Sequence, residues 1–394
     1  MTLPLEGVKV LELARTLAGP ISGQMLGDLG AEVIKVEQPE IGDESRHFKP
    51  PVWEGESCYF LSSNRNKKSI TLNLKTEQGK QIIYEIVKES DILIENFRTG
   101  ATEKLGLDYE TLKKINSRLI YLSVSGFGRT GPEKYRSGYD LLLQGYSGLM
   151  STTGEPGVPY KVGPSIADMS TGILGALGVL AALLAREKTG EGQFVDCSLL
   201  DSQIMVLNYL ATGFYATGNS PKPMGQAHNS LVPYQIFKAS DKNIILAVGN
   251  DRLWVKACKA MGWEDLLEIE EYRTNQLRVA NREKLIPILS DRLSKISGDE
   301  ICAKLDEVGV PCGPINSVGE AVTSPQALAR NMMVDINHPT IKDLKTPAFP
   351  IKLSATPATV RCHPPILGEH TEEVLSLLGY RKEDIDAMRQ EGVL

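Results

Sequence analysis

No CxxC pair, no HExxH and no Gly-x-Ser-x-Gly occurs in this sequence. The first absence argues against a zinc ribbon or a dithiol redox centre. The second argues against a helix-borne zinc site, and the third removes the usual serine-hydrolase reading. Cys58, Cys197, Cys258, Cys302, Cys312 and Cys362 are scattered and read as ordinary buried thiols of a reducing compartment. His47, His228, His338, His363 and His370 keep no metal-ligand spacing, so no metal is expected. Basic residues are not in excess: 43 Lys and Arg stand against 49 Asp and Glu, a net charge of −6, which gives no face for nucleic acid. The N-terminus lacks the basic-then-apolar pattern of a signal peptide. The uncharged run Gly172–Ala185 is shorter than the ~20 residues a bilayer span needs. A soluble cytoplasmic protein without a membrane partner is expected.

The 394 residues, 42% of them hydrophobic, allow two or three domains with large cores. Val8–Leu13 alternates like a strand, a helix pattern runs through Met25, Leu26 and Leu29, and Gly30 ends it before the strand 31–37. This is a βαβ unit, but no GxGxxG follows its first strand, so NAD and FAD are not indicated. Strands at 70–74, 91–95, 119–124 and 193–197 alternate with helices at 77–89, 141–146 and 199–217, which predicts a doubly wound, largely parallel sheet. The basic turn Asn64–Ser69 reads as a solvated loop or, beside a strand end, a place for phosphates. Composition shifts at the Pro/Gly-rich 218–225, beyond which a strand pair at 234–238 and 244–248 and three helices predict a smaller α+β domain. The expected division is 1–217, 218–330 and 331–394, the last an extended crossing followed by a C-terminal helix pair.

A Gly-Pro turn at 163–164 delivers one carboxylate, Asp168, to the mouth of the most apolar segment in the chain. Asp168 is expected at or near the N-cap of a buried helix, where free backbone N–H groups and the helix dipole favour a negative charge. It is either a cap or a nucleophile held at the edge of an apolar core. Tyr139-Asp140 and basic residues at strand ends are further candidates. His228 is either a structural loop histidine or a site residue.

The residues then carry a resemblance. Leu5–Glu12, Ala18-Gly19-Pro20, Leu29–Glu37, Asn66–Ile70, Glu95–Gly100, Gly138-Tyr139-Asp140, Asp168, Lys188–Gln193, Gly309–Pro314 and Leu367–Thr371 occur in an order that resembles the family III CoA-transferases, which include formyl-CoA transferase, carnitine CoA-transferase and α-methylacyl-CoA racemase. The resemblance implies an α/β protein with a Rossmann-like large domain built from both chain ends, a smaller inserted α+β domain, and an interlocked homodimer. It implies coenzyme A or acyl-CoA as a substrate, with no tightly bound cofactor, and a carboxylic acid as the second substrate. It assigns Asp168 as the catalytic nucleophile. It places the CoA site at Thr16, Leu17, Leu72, Lys75, Asn96, Phe97, Arg98, Lys104, Arg136 and Tyr139. Where formyl-CoA transferase carries arginines for the CoA phosphates, this chain has Gln38 and Lys104: the first loses the charge, the second the planar fork.

The implied chemistry is attack of the carboxylate on a thioester to give an aspartyl anhydride and then an aspartyl-CoA thioester, with N–H groups at the start of the Asp168 helix as oxyanion donors. A racemase or epimerase of 2-methylacyl-CoA needs two acid/base groups about the α-carbon. In that branch a histidine precedes the aspartate, where this chain has Tyr139, a poor base with an ordinary pKa near ~10. The region 225–235 lacks the glycine-rich lid of formyl-CoA transferase and resembles the succinyl-CoA:dicarboxylate branch instead. A dicarboxylate acceptor needs a cation for its distal carboxylate, and Arg46, Arg136 and His228 are the expected choices. A non-catalytic CoA-binding protein is the alternative from outside enzymology.

Overall fold

The computed structural model describes residues 2–394. Its central sheet has six strands: β1 Lys9–Glu12, β2 Glu32–Glu37, β3 Lys67–Thr71, β4 Ile92–Glu95, β5 Ile120–Ser125 and β6 Phe194–Ser198. Every pairing is parallel and the spatial order is β6-β5-β4-β1-β2-β3. Leu11 of β1 lies opposite Ile34 on one side and Leu93 on the other. The order therefore reverses at β1, and the carboxyl ends of β1 and β4 lie side by side, where open parallel sheets form their ligand crevice.

Side chains alternate across this sheet and separate two cores. Val10, Val33, Ile92, Ile94, Ile120 and Leu122 face one. Leu11, Val36, Ile70, Leu93 and Tyr121 face the other. Five helices matter for the site: α1 Ala18–Asp28, α2 Glu77–Lys88, α3 Asp140–Tyr146, α4 Ile166–Thr189 and α5 Leu199–Leu207. Ile82, Ile83, Ile86 and Val87 give α2 an apolar stripe at helical spacing, buried with Leu375 and Met388 of the C-terminal helices Thr371–Leu377 and Lys382–Gln390. The strand expected at 70–74 ends at Thr71, because Asn73 turns its N–H to Val393 O (2.8 Å) rather than to the sheet. The helix expected at 199–217 breaks at Asn208 (φ 45°) into α5 and Tyr209–Thr217.

By internal packing the chain divides into two units. One takes the chain through Leu149, then Lys161–Asn219 and Pro325–Leu394; the other takes Met150–Tyr160 and Ser220–Ser324. This differs from the expected 218–330 in starting at Ser220 and in two further places. The hairpin around Gly154 goes with the second unit, tied by Gly225 N–H to Gly154 O (2.8 Å), and residues 325–330 go with the first. The second unit holds an antiparallel sheet of β7 Tyr234–Lys238, β8 Asn243–Ala247 and β9 Cys312–Pro314. The helices Asp251–Met261, Arg282–Leu293 and Gly298–Glu307 cover it, with Trp254, Leu246, Leu289 and Leu305 buried between. The stretch expected as an extended crossing contains the hairpin Met333–Ile336 with Leu344–Pro347.

α4 corrects one expectation. Its uncharged run is short, but the helix has 24 residues, enough in length and composition to cross a bilayer. One face packs on α1 and the sheet, as in the core helix of a globular domain, while Ile173, Leu177 and Leu184 are exposed.

Candidate active site

Asp168 is not the N-cap of its helix. α4 begins at Ile166, Ser165 provides no side-chain cap, and Asp168 stands in the first turn. The cap comes from a distant carboxylate. Asp140 Oδ1 accepts from the N–H of Ala167 (2.8 Å) and of Asp168 (3.3 Å), and its Oδ2 accepts from Gln144 Nε2 (2.6 Å). Gln144 Oε1 in turn accepts from Val162 N–H (2.8 Å), which holds the turn leading into α4. The N–H groups at the start of α4 are thus committed to Asp140, which corrects the expectation that they serve an oxyanion.

Two close approaches set this geometry. A Cβ on Gly126 would stand 2.7 Å from Gly138 Cα, so the backbone after β5 touches the backbone before α3 and places Tyr139-Asp140 over the sheet end. A Cβ on Gly172 would stand 2.6 Å from Ala18 O, and one on Gly175 2.9 Å from Ser22 Oγ. With the bond from Ser22 Oγ to Gly172 O (2.8 Å), these glycines let α4 lie directly on α1. Asp168 therefore shares a cleft with Leu17 and Ala18 at the start of α1, a helix start that no side chain caps. The letters GxGxxG do occur, at Gly126–Gly131, but the next helix starts only at Asp140, and the first of these glycines serves packing rather than a pyrophosphate.

The cleft has a volume of about 260 Å³. Of the residues implied for CoA, it brings Thr16, Leu17, Asn96, Phe97, Arg98 and Tyr139 together with Asp168. Asn96 clamps the strand ends: Oδ1 accepts from Arg15 N–H (2.9 Å) and Nδ2 donates to Arg15 O (2.7 Å). Thr16 lies in the left-handed region (φ 72°), and both Asp43 oxygens accept its N–H (3.0 and 3.2 Å). Asp43 is buried and paired with the equally buried Lys35 (2.8 Å), which also donates to Ala14 O (2.8 Å). Against the cost of burial, Lys35 holds Asp43 well below the usual carboxylate range, and Asp43 and Glu12 hold Lys35 protonated. This pair grips the loop after β1 from both sides. Neither its role nor that of Arg15, which lines the cleft, was visible in the sequence beforehand. The only signal for Arg15 is a cation directly after the first strand.

Leu72 and Lys75 line a second cleft, of about 460 Å³, at the carboxyl ends of β1, β2 and β3, together with Gln38. Arg15 and Phe97 line both clefts, the guanidinium 5.4 Å from the ring centroid. Four expected residues lie elsewhere. Lys104 is exposed on the short helix Ala101–Leu105 and lines neither cleft. Arg136 stacks between Phe127 (5.2 Å) and Tyr146 (5.1 Å) and pairs with Glu133 (3.4 Å). Arg46 is buried in a bidentate pair with Glu37 (2.7 and 2.8 Å), donates to Pro365 O and lies 3.6 Å over the Phe60 ring, so it has no face left for a substrate carboxylate. His228 belongs to the second unit, beside Tyr234, with Nδ1 accepting from Ser230 N–H (3.0 Å). The basic turn at 64–69 is neither solvated nor a phosphate site. Arg65 forks onto Asp28 (2.6 and 2.9 Å), and buried Lys67 meets Glu12 (2.9 Å), its pKa pushed down by burial to about 8.

Asp168 is half-buried, and its pKa is raised to about 7, first by burial and then by the Asp140 carboxylate. Tyr59 feels both carboxylates; burial and these charges keep its phenol protonated, against a bond to Ser165. Because the folded pKa of Asp168 lies above its ordinary 3.8, ionised Asp168 opposes folding. The cost is absent near pH 4 and grows as pH rises through 7, to about 1–3 kcal/mol after allowance for partial exposure. Asp168→Asn is expected to melt at the parent's temperature at pH 4 and above it at pH 8. Equal melting temperatures at both pH values would show that the carboxylate is not desolvated.

Comparison with known proteins agrees with this architecture. The pattern of CoA-transferase family III matches residues 5–371. Succinyl-CoA:glutarate CoA-transferase of Mus musculus is 40% identical over 99% of this chain and 90% of its own length. Succinate–glutarate CoA-transferase of Agrobacterium fabrum is 41% identical over 95% of this chain and 96% of its own. The crystal structure of a CAIB/BAIF family protein from Brucella suis, 42% identical, superposes with a TM-score of 0.86 over 96% of this chain and all of that one. A single family pattern spanning nearly the whole chain, relatives alike from end to end and a shared parallel-sheet fold lead to one conclusion: the protein belongs to CoA-transferase family III and is an enzyme acting on CoA thioesters.

Proposed function

We propose that the protein transfers CoA from succinyl-CoA to a short dicarboxylic acid, with Asp168 as the covalent carrier. The observation that carries this reading is the placement of Asp168 in one cleft with the uncapped start of α1, the other carboxylate lining that cleft, Glu44, being paired with Arg15 (3.0 Å). The Asp168 carboxylate attacks the thioester carbonyl, the C–S bond breaks, and CoA leaves as thiolate, giving a mixed anhydride. The thiolate attacks the aspartyl carbonyl, releasing succinate and leaving an aspartyl-CoA thioester. The acceptor carboxylate attacks that thioester, and the thiolate released then takes the acceptor's acyl group, which frees Asp168. Each tetrahedral oxyanion needs donors, and the first-turn N–H groups of α1 and its dipole supply them. The apolar packing of α4 on α1 keeps water from the anhydride.

Glutarate-transferring relatives and the cation Arg98, which lines the cleft, support a dicarboxylate acceptor. The test is an exchange assay from succinyl-CoA into a series of mono- and dicarboxylic acids. Turnover confined to monocarboxylates would refute the acceptor class, and α-proton exchange in a 2-methylacyl-CoA without transfer would refute the reaction.

The functional unit in this reading is an interlocked homodimer. Leu177 (60% exposed) and Leu184 (70%) on α4, with Met205 and Tyr215 after it, are exposed apolar side chains that a second copy would cover. The double substitution Leu177→Glu with Leu184→Glu is expected to shift the sedimentation coefficient from dimer toward monomer. An unchanged dimer would place the interface elsewhere.

A further inference from the structure

We propose that Arg389 recognises the 3′-phosphate of coenzyme A, in place of the arginine that the family resemblance puts at position 38. The inference rests on the functional reading above, in which the thioester of an acyl-CoA lies at Asp168. Coenzyme A is long, with its sulfur at one end and a nucleotide bearing a diphosphate and a 3′-phosphate at the other. A ligand whose sulfur reaches Asp168 extends into the second cleft, which shares the wall of Arg15 and Phe97 with the first and lies at strand carboxyl ends.

The charges lining that second cleft are few. Gln38 is neutral, Glu37 is committed to Arg46, and Glu40 is exposed. The cations are Arg15, Lys75 and Arg389. Arg15 is spent on the dividing wall and on Glu44 (3.0 Å). Lys75 is an exposed point charge on a flexible stem. Arg389 comes from the opposite end of the chain, and its position is built. Asn73 N–H donates to Val393 O (2.8 Å) and Asn73 Nδ2 to Gly392 O (3.2 Å), tying the C-terminal tail to the end of β3. Glu372 accepts from Arg389 Nη2 (2.8 Å) and Asp386 from Nη1 (3.3 Å). These two contacts orient the guanidinium and occupy one N–H on each Nη, so that three of its five donors, Nε–H and the second N–H of each Nη, remain for phosphate oxygens.

The test is calorimetric titration of the full chain with CoA and with 3′-dephospho-CoA. The parent is expected to prefer CoA about tenfold or more. Arg389→Gln is expected to weaken CoA about tenfold while changing the affinity for 3′-dephospho-CoA by less than about twofold, and Arg389→Lys, which keeps a cation beside Glu372, to retain part of the preference. A merely structural role would weaken both ligands alike, and that result overturns the inference. So does a preference that survives Arg389→Gln and disappears in Lys75→Gln. A parent that binds neither ligand overturns the functional reading and this inference with it. A parent that binds CoA and forms a covalent adduct with succinyl-CoA, but whose Arg389→Gln variant keeps the preference, overturns this inference alone.

Discussion

Asp168→Asn is expected to lose CoA transfer by roughly 10⁴-fold or more, the scale on which enzymes lose rate when a covalent nucleophile is removed. At 1.36 kcal/mol per tenfold this is about 5 kcal/mol of transition-state stabilisation. The carboxamide keeps the shape of the side chain, and the N–H of residue 168 still donates to Asp140, so the helix start is expected to remain in place. What disappears is the oxygen nucleophile, since a neutral amide does not displace a thiolate. The direct measurement is the intact mass of parent and variant after mixing with succinyl-CoA, with hydroxylamine added to duplicates. The parent should carry an adduct that hydroxylamine removes, and the variant none. An adduct that persists in Asp168→Asn would move the nucleophile to another residue.

The second large effect concerns Asp140, whose two functions separate by substitution. Its Oδ1 caps α4, and its charge raises the pKa of Asp168. In Asp140→Asn the amide oxygen can still accept the N–H of Ala167, but the charge is gone. The nucleophile must be ionised to attack, so kcat/KM of the parent should fall about tenfold per pH unit below about 7. Removing a like charge lowers the pKa of Asp168, so the acid limb of the variant should move down by roughly one pH unit, not the whole distance to 3.8, because burial remains the larger cause. Asp140→Ala removes the acceptor as well. Two helix N–H groups then lose their partner, which costs about 1–2 kcal/mol of stability, and the displaced Asp168 should lose roughly 10²-fold in rate. An acid limb that stays in place in Asp140→Asn would assign the raised pKa to burial alone.

The parallel sheet was legible because its signal is local. Runs such as Ile92-Leu93-Ile94 and Ile120–Val124 are buried on both faces and therefore apolar at all positions but Ser123, and helices of ordinary period separate them. Asp168 was legible as the one carboxylate ahead of a long apolar helix. The charged residues were not. Arg46, Arg65 and Lys67 look alike in the sequence, as polar residues in loops or beside strands. In the structure each is buried against an acid from a different element: Glu37, Asp28 and Glu12. The pairing of a charge is decided by what folds onto it, and a residue such as Arg46, with both ends of its fork on Glu37, is spent before any substrate arrives.

The sequence by itself determined the alternation of strands and helices, the composition break near 218, the aspartate at the mouth of the apolar helix and the ordered motifs that carried the family resemblance. Each depends on neighbours close along the chain, through backbone propensity, period and turn chemistry. Only the tertiary structure decided that Asp140, 28 positions away, caps the Asp168 helix. It alone placed α1 against α4 through Gly172 and Gly175, and it alone brought Arg389 to the end of β3. These depend on contacts between segments distant in sequence, where a missing Cβ or one buried charge selects the partner and no local pattern names it.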